Sequence, residues 1–185
     1  MTEISDRKDL PAAVQQFVLC WGDMGGQWGV NRSIAQIQAL LYLSPKPLTA
    51  EDIADTLAIA RSNVSNSIKQ LQAWGLIRRV PVLGDRRDFF EAETDVWTIA
   101  AKIAAVRKER EVDPALAALQ DCATAAKGDP GIDPVIVRRL DEMRNFTETM
   151  SNWYEQIMRI PRPKLLGVIR LGSKVIDYLP IRKAK

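Results

Sequence analysis

The stretch from Thr49 to Glu93 limits the possible folds most, because three kinds of local pattern follow one another there with almost no spacer. Thr49 stands three residues ahead of Asp52, a helix-capping arrangement with aspartate in the place usually taken by glutamate. "AEDIADTL" then sets Ile53 and Leu57 four apart, on one face of a short helix. After "AIA", Ala58 to Ala60, the segment "RSNVSNSIKQLQAWG" repeats Val64, Ile68 and Leu71 at helical spacing with Trp74 close by. It ends on Gly75, a residue suited to the left-handed conformation that closes a helix. "LIRRVPV" and "DFFEAE" flank "LGDRR" and read as a β-hairpin with strands Ile77–Val82 and Asp88–Glu93. Arg86 and Arg87 are expected at its tip, and Pro81 marks the first strand as an edge. Two short helices joined by a tight turn and followed by a hairpin make a helix-turn-helix unit with a wing.

The second of those helices can be read face by face. With Val64 inward, Ser62, Asn66 and Lys69 point the opposite way, and Asn63, Ser65 and Gln70 flank them. The exposed stripe is amide, hydroxyl and amine, and no carboxylate occurs between Arg61 and Gly75. Such groups can donate to and accept from base edges, and an α-helix fits the major groove. A merely solvated face would mix glutamate with lysine, whereas a surface approaching phosphate excludes carboxylates on Coulomb grounds. Between Ala60 and Arg87 the chain carries Arg61, Lys69, Arg78, Arg79, Arg86 and Arg87 against Asp85 alone, a local excess larger than the +3 of the whole chain. Positive charge gathered over a helix and a hairpin is the electrostatic footprint of double-stranded DNA binding.

The remaining sequence is read as helical. Residues 1–11 are polar and aperiodic, a flexible N-terminal arm. A helix is expected from Ala12 to about Met24 with Val14, Phe17, Val18 and Trp21 on one face, followed by a flexible glycine-rich link in "GDMGGQWG". A second helix, capped by Asn31, is expected to run to about Leu43. Beyond the hairpin, "TDVWTIAAKIAAVRKERE" and "PALAALQDCATAAK" are expected to be helices, and Asp133 with Pro134 opens a long one. In that helix Leu140, Met143, Thr147, Met150, Tyr154 and Ile157 recur at alternating three and four residues, the spacing of a two-helix seam, with Phe146 and Trp153 beside it. A monomer could bury this seam internally, but its widened apolar face favours pairing with a second subunit. Leu140, Met143, Phe146, Met150, Trp153 and Ile157 are therefore the expected dimerisation residues. From Arg159 onward eight Lys or Arg face only Asp177, giving a basic amphipathic C-terminal segment expected to dock on its own protein. The resulting division is an arm over 1–11, a winged helix-turn-helix DNA-binding domain over 12–110, and a helical dimerisation and effector region over 111–185.

Composition narrows the function. The chain has no histidine, so the commonest general base at neutral pH is missing, and no nucleophile has an evident base partner. An enzyme is not expected. Cys20 and Cys122 lack metal-ligand spacing, so neither a metal nor another cofactor is expected. No leader and no apolar run of spanning length are evident, which points to a cytoplasmic protein without a membrane span.

The order of elements, and above all "NVSNSIKQLQAWGLIRR" followed by "GDRRDFFEAE", resembles the MarR superfamily of winged-helix transcription regulators, and within it the GbsR branch. The resemblance covers about 65 residues, Gly29 to Glu93, and is looser upstream from Phe17. It implies a mainly α fold with a two-stranded wing and long C-terminal dimerisation helices. It also implies a homodimer, acting as a repressor, that reads an inverted-repeat operator. Carried over by position, Ser62, Asn63, Ser65, Asn66 and Lys69 fall on the recognition helix beside Arg61, Arg86 and Arg87 fall at the wing tip, and Asp85 would hold a nearby arginine. The sequence departs from the family at "LAIAR", where Ala58 and Ala60 supply neither an easy left-handed turn nor a side-chain cap. GbsR-like regulators are associated with choline and glycine betaine metabolism, which implies a small cationic effector. Trp21, Trp28 and Trp97 are candidates for an aromatic cage, although tryptophan at helical positions is more often core. The competing reading is a winged-helix protein-interaction module without sequence-specific DNA binding.

Overall fold

The computed structural model describes residues 10–171. Most of the expected N-terminal arm, and the basic C-terminal segment beyond residue 171, lie outside the described residues. The chain forms two compact units, divided between Val106 and Arg107.

The first unit is mainly helical around a small sheet. Its elements are α1 (Ala12–Gln27), α2 (Arg32–Leu43), β1 (Leu48–Thr49), α3 (Ala50–Leu57), α4 (Arg61–Ala73), β2 (Ile77–Val82), β3 (Asp85–Ala92) and α5 (Val96–Arg107). Ile37, Ile53, Val64 and Leu71 are fully buried and form one cluster with Ile34, Leu40, Ile68, Leu76, Ile77, Phe90 and Ile99. The face assigned to α4 from spacing is thus its buried face, and Trp74 packs half-buried against the same cluster.

Helix ends follow local chemistry. The Asn31 Oδ1 accepts from the Ser33 amide at 2.8 Å, which caps α2. At α3 both halves of the capping box are present: the Asp52 amide donates to Thr49 Oγ1, and the Thr49 amide donates to Asp52 Oδ2, each at 3.1 Å. Gly75 closes α4 with φ +67°.

Two elements differ from what the sequence suggests. The glycine-rich "GDMGGQWG" is not a flexible link up to Gln27, because α1 continues through Gly22, Gly25 and Gly26. A Cβ at Gly22 would meet Gln36 Cγ at 2.6 Å, and one at Gly25 would meet Ala35 Cβ at 2.6 Å. These glycines let α1 approach α2 closely; they serve packing rather than freedom. The sheet also has three strands in the order β1-β3-β2, because Leu48 and Thr49 pair antiparallel with Phe90 and Phe89. A two-residue strand has no periodicity to read, so only the two-stranded wing was visible in the sequence. β2 is an edge strand, and its register slips between Val80 and Val82, around Pro81, where no ladder donor is available.

The second unit contains a π-helical turn (Lys108–Val112), α6 (Asp113–Gly128), α7 (Pro134–Arg159) and α8 (Arg162–Leu171). Asp133 Oδ1 accepts from the Val135 amide at 2.7 Å, which starts α7. The expected seam splits between two sides of α7. Asp141, Arg144, Ser151 and Tyr154 mark the inward side: Lys127 pairs with Asp141 at 2.8 Å, Lys108 pairs with Glu155 at 3.1 Å, and Ser151 is buried. Leu140, Thr147 and Ile157 are half-buried. Met143, Phe146, Met150 and Trp153 remain 55%, 64%, 44% and 55% exposed as a continuous apolar stripe. Successive residues turn by about 100°, so a three-four alternation drifts around the helix and can serve two surfaces at once. Among the described residues no helix is long and apolar enough to cross a membrane.

Candidate nucleic-acid interface

The polar face of α4 is built by burying the opposite one. Val64, Ser67, Ile68 and Leu71 go inward, so Ser62, Asn63, Ser65, Asn66, Lys69 and Gln70 are all exposed, as is Arg61 at the helix start. No carboxylate lies on this helix.

Both ends of α4 are fixed from outside it. Its N-cap is Ala60, which makes no side-chain cap, and the preceding turn passes through Ala58 at φ 53°, ψ 42°. That is the left-handed region, costing an alanine roughly 1 kcal/mol. Arg61 instead reaches Glu51 on α3, and Asn63 Nδ2 donates to Ser33 Oγ on α2 at 3.0 Å. At the other end the Lys102 ammonium, on α5, donates to the Gly75 carbonyl at 2.7 Å and pairs with Glu93 at 3.2 Å. The Asp95 amide, donating to Glu93, and then the Lys102 ammonium through its hydrogen bond and its charge, with a smaller contribution from the Thr94 amide, hold the Glu93 carboxyl below its usual range.

The wing differs from expectation at its tip. The turn is Leu83–Gly84, with Gly84 at φ +82° and Leu83 fully exposed. β3 starts at Asp85, so Arg86 and Arg87 stand on the returning strand, just past the tip. Glycine took up the turn in two residues, and the strand began three residues earlier than its aromatic pattern suggested. Arg87 grips Asp85 through Nε at 3.1 and 3.0 Å and Nη2 at 2.6 Å, while its amide donates to Asp85 Oδ1 at 2.9 Å. Those side-chain and backbone hydrogen bonds push the Asp85 carboxyl down to about 2, and the same pairing raises Arg87 further. The Arg87 guanidinium also lies 5.5 Å from the centre of the Phe89 ring.

The structure redistributes the local positive charge. Arg61 pairs with Glu51, Arg78 with Glu91, Arg79 with Asp88, and Arg87 with Asp85. Of the six cations between Ala60 and Arg87, Lys69 and Arg86 alone have no partner among the described residues. Three of the four carboxylates lie outside that window, on α3 and along β3, where a count by sequence position missed them. Spacing did not point to Ser33 and Lys102 either, because both act across more than 25 residues.

The three tryptophans are placed differently. Trp21 is stacked on Phe17 at 5.6 Å within the core layer, whereas Trp28 and Trp97 are exposed. Among the described residues no cluster of His, Cys, Asp and Glu could hold a metal ion.

Residues 28–88, which include α4 and the wing up to Asp88, match the model of the MarR family. The chain is 32% identical over 137 residues, 70% of its own length and 76% of the relative's, to the HTH-type transcriptional regulator MmpR5 of Mycobacterium tuberculosis. The chain belongs to the MarR family. It is a mainly helical winged-helix transcriptional regulator of that family, and the curated relatives it matches are named as transcriptional regulators. This MarR protein is also 22% identical over 159 residues, 83% of each chain, to the HTH-type transcriptional repressor GbsR of Bacillus subtilis. A crystal structure described as a transcriptional regulator superposes with a TM-score of 0.56 at 27% identity, covering 79% of this MarR chain and 95% of the other.

Proposed function

We propose that this chain is a cytoplasmic, homodimeric, sequence-specific DNA-binding repressor that reads an inverted-repeat operator. The observation that carries the reading is the α4 face, where Ser62, Ser65, Asn66 and Lys69 stand exposed with no carboxylate on the helix, together with Arg86 on the wing, which has no side-chain partner among the described residues. In this reading α4 enters the major groove, where hydroxyl and amide groups choose sequence. Lys69 and Arg86 supply the salt-dependent attraction to phosphate, and the wing reaches towards the minor groove. Asp85 fixes Arg87 on the wing, which narrows the orientations of that guanidinium before DNA arrives. The stripe Met143, Phe146, Met150 and Trp153, flanked by Leu140 and Ile157, supports pairing of two copies through α7. Occupying an operator excludes polymerase, and a small effector would act by changing half-site spacing. The GbsR likeness points to a cationic effector, to be found by thermal-shift screening of quaternary ammonium compounds.

Fluorescence anisotropy with the intergenic duplex upstream of the chain's own gene tests the DNA reading. The intact chain is expected to bind it at least about 1000-fold more tightly than a scrambled duplex. Asn66→Ala is expected to lose part of that ratio at one base-pair position. Equal affinity for both duplexes would leave the protein-interaction module as the better reading.

A further inference from the structure

We propose that Asn63 is a positioning residue for the recognition helix, latched to Ser33 on α2, and not a reader of bases. The inference rests on the DNA-binding reading and assigns different tasks to residues that the sequence groups together. An asparagine that reads adenine uses its amide N–H and its carbonyl together. In Asn63 both are engaged: Nδ2 donates to Ser33 Oγ at 3.0 Å, and Oδ1 accepts from Ser67 Oγ at 3.4 Å. Ser67 is 2% exposed, so this second bond comes from the packed side of α4. Asn66, one turn along the exposed face, has no side-chain partner among the described residues and keeps both groups for a base.

The latch answers a local deficit. α4 starts without a side-chain cap at Ala60, and the turn before it holds Ala58 in the left-handed region. A helix start with orphan amides and a strained entry is free to fray or tilt. Ser33 is well placed to prevent this, because its own amide is fixed by the Asn31 cap and its neighbour Ile34 is buried in the core. The Arg61–Glu51 pair lies beside the latch, but both side chains are more than half exposed, so it contributes little. Fully buried Val64 anchors the first turn of α4 in the core, and the Ser33–Asn63 bond adds a side-chain hydrogen bond that fixes how that turn sits on α2.

Two measurements on the intact chain test this. The first is a double-mutant cycle of Ser33→Ala and Asn63→Ala in urea unfolding without DNA. Coupling is expected, with the double variant no less stable than the weaker single one; additive losses overturn the latch whatever the chain binds. The second uses the duplex that the wild-type chain enriches from a random pool. Ser33→Ala and Asn63→Ala are each expected to weaken binding by about 2- to 10-fold, the worth of one hydrogen bond, with base preference unchanged at every position. Ala60→Ser, which adds a local cap, is expected to restore the affinity of Ser33→Ala but not that of Asn66→Ala. Loss of preference at a single base pair in Asn63→Ala, with Ser33→Ala binding normally, overturns the proposal. Failure of the wild-type chain to enrich any duplex counts against the DNA reading alone, since the unfolding cycle still reports on the latch.

Discussion

Gly25 and Gly26 are neighbours in α1, yet the structure gives an added methyl group opposite consequences at the two positions. At Gly25 the new Cβ would lie 2.6 Å from Ala35 Cβ on α2, and Ala35 is buried. Carbon atoms prefer a separation of about 3.5–4.0 Å, so a gap of roughly 1 Å must be opened. Ala35 Cβ is fixed to its backbone and cannot swing away, so the two helices must part. Overpacking of this kind costs about 1–3 kcal/mol, offset by about 0.5–1 kcal/mol from replacing glycine inside a helix. Gly25→Ala is therefore expected to destabilise by roughly 0.5–2 kcal/mol. At Gly26 nothing lies within 4 Å, so Gly26→Ala keeps only the helical gain and stabilises by about 0.5–1 kcal/mol. For a chain of this length each kcal/mol moves the Tm by about 2–4 °C, which separates the variants by roughly 2–12 °C in calorimetry. Two variants shifting in the same direction would refute the close-packing account and restore the flexible link.

Other outcomes follow from the same geometry. Ala58→Gly relieves the left-handed strain and is expected to stabilise by about 0.5–1 kcal/mol in urea unfolding; no gain would mean that the turn relaxes at no cost. Arg86→Ala is expected to reduce the slope of log K against log salt by about 0.9 for each subunit bound, and an unchanged slope removes Arg86 from the phosphate contacts. Phe146→Glu combined with Trp153→Glu is expected to yield monomers in light scattering, whereas persistence of a dimer would place its interface elsewhere. The Asp85 carboxyl is depressed from 3.8 to about 2 in the folded chain. Its link to Arg87 is thus complete above the ordinary carboxylate range and is lost as pH falls through about 2. An NMR titration of the Asp85 side chain with a midpoint near the ordinary value contradicts that pairing.

Much of the fold was legible because its signals are local. Val64, Ile68 and Leu71 at helical spacing, the Thr49–Asp52 box and Gly75 each report on their own few residues, and each takes the role that its chemistry dictates. What escaped the sequence is contact over distance. Gly22 and Gly25 look like freedom until Gln36 and Ala35 are placed against them. β1 was hidden because two residues carry no period, and the seam on α7 could not announce that it serves two surfaces. The same holds for the interface: the exposed stripe of α4 was readable, but its excess charge was not. Glu51, Asp88 and Glu91 neutralise arginines counted as open, while Ser33 and Lys102 reach α4 from elements far away in the chain. Arg86 and Arg87 look like the wing tip in "LGDRR" because the sequence conceals that Leu83 and Gly84 alone make the turn.

The most direct test of the account is selection of duplexes from a random pool by the intact chain, followed by base-resolved footprinting of the winners. The expected outcome is an inverted repeat whose half-sites lie about one helical turn, roughly 10 base pairs, apart. Major-groove protection is also expected in each half-site, with preference lost at one position in each when Asn66 becomes alanine. Recovery of no common sequence, or a footprint unchanged by Asn66→Ala and Lys69→Ala, would contradict the assignment of α4 as the element that reads DNA.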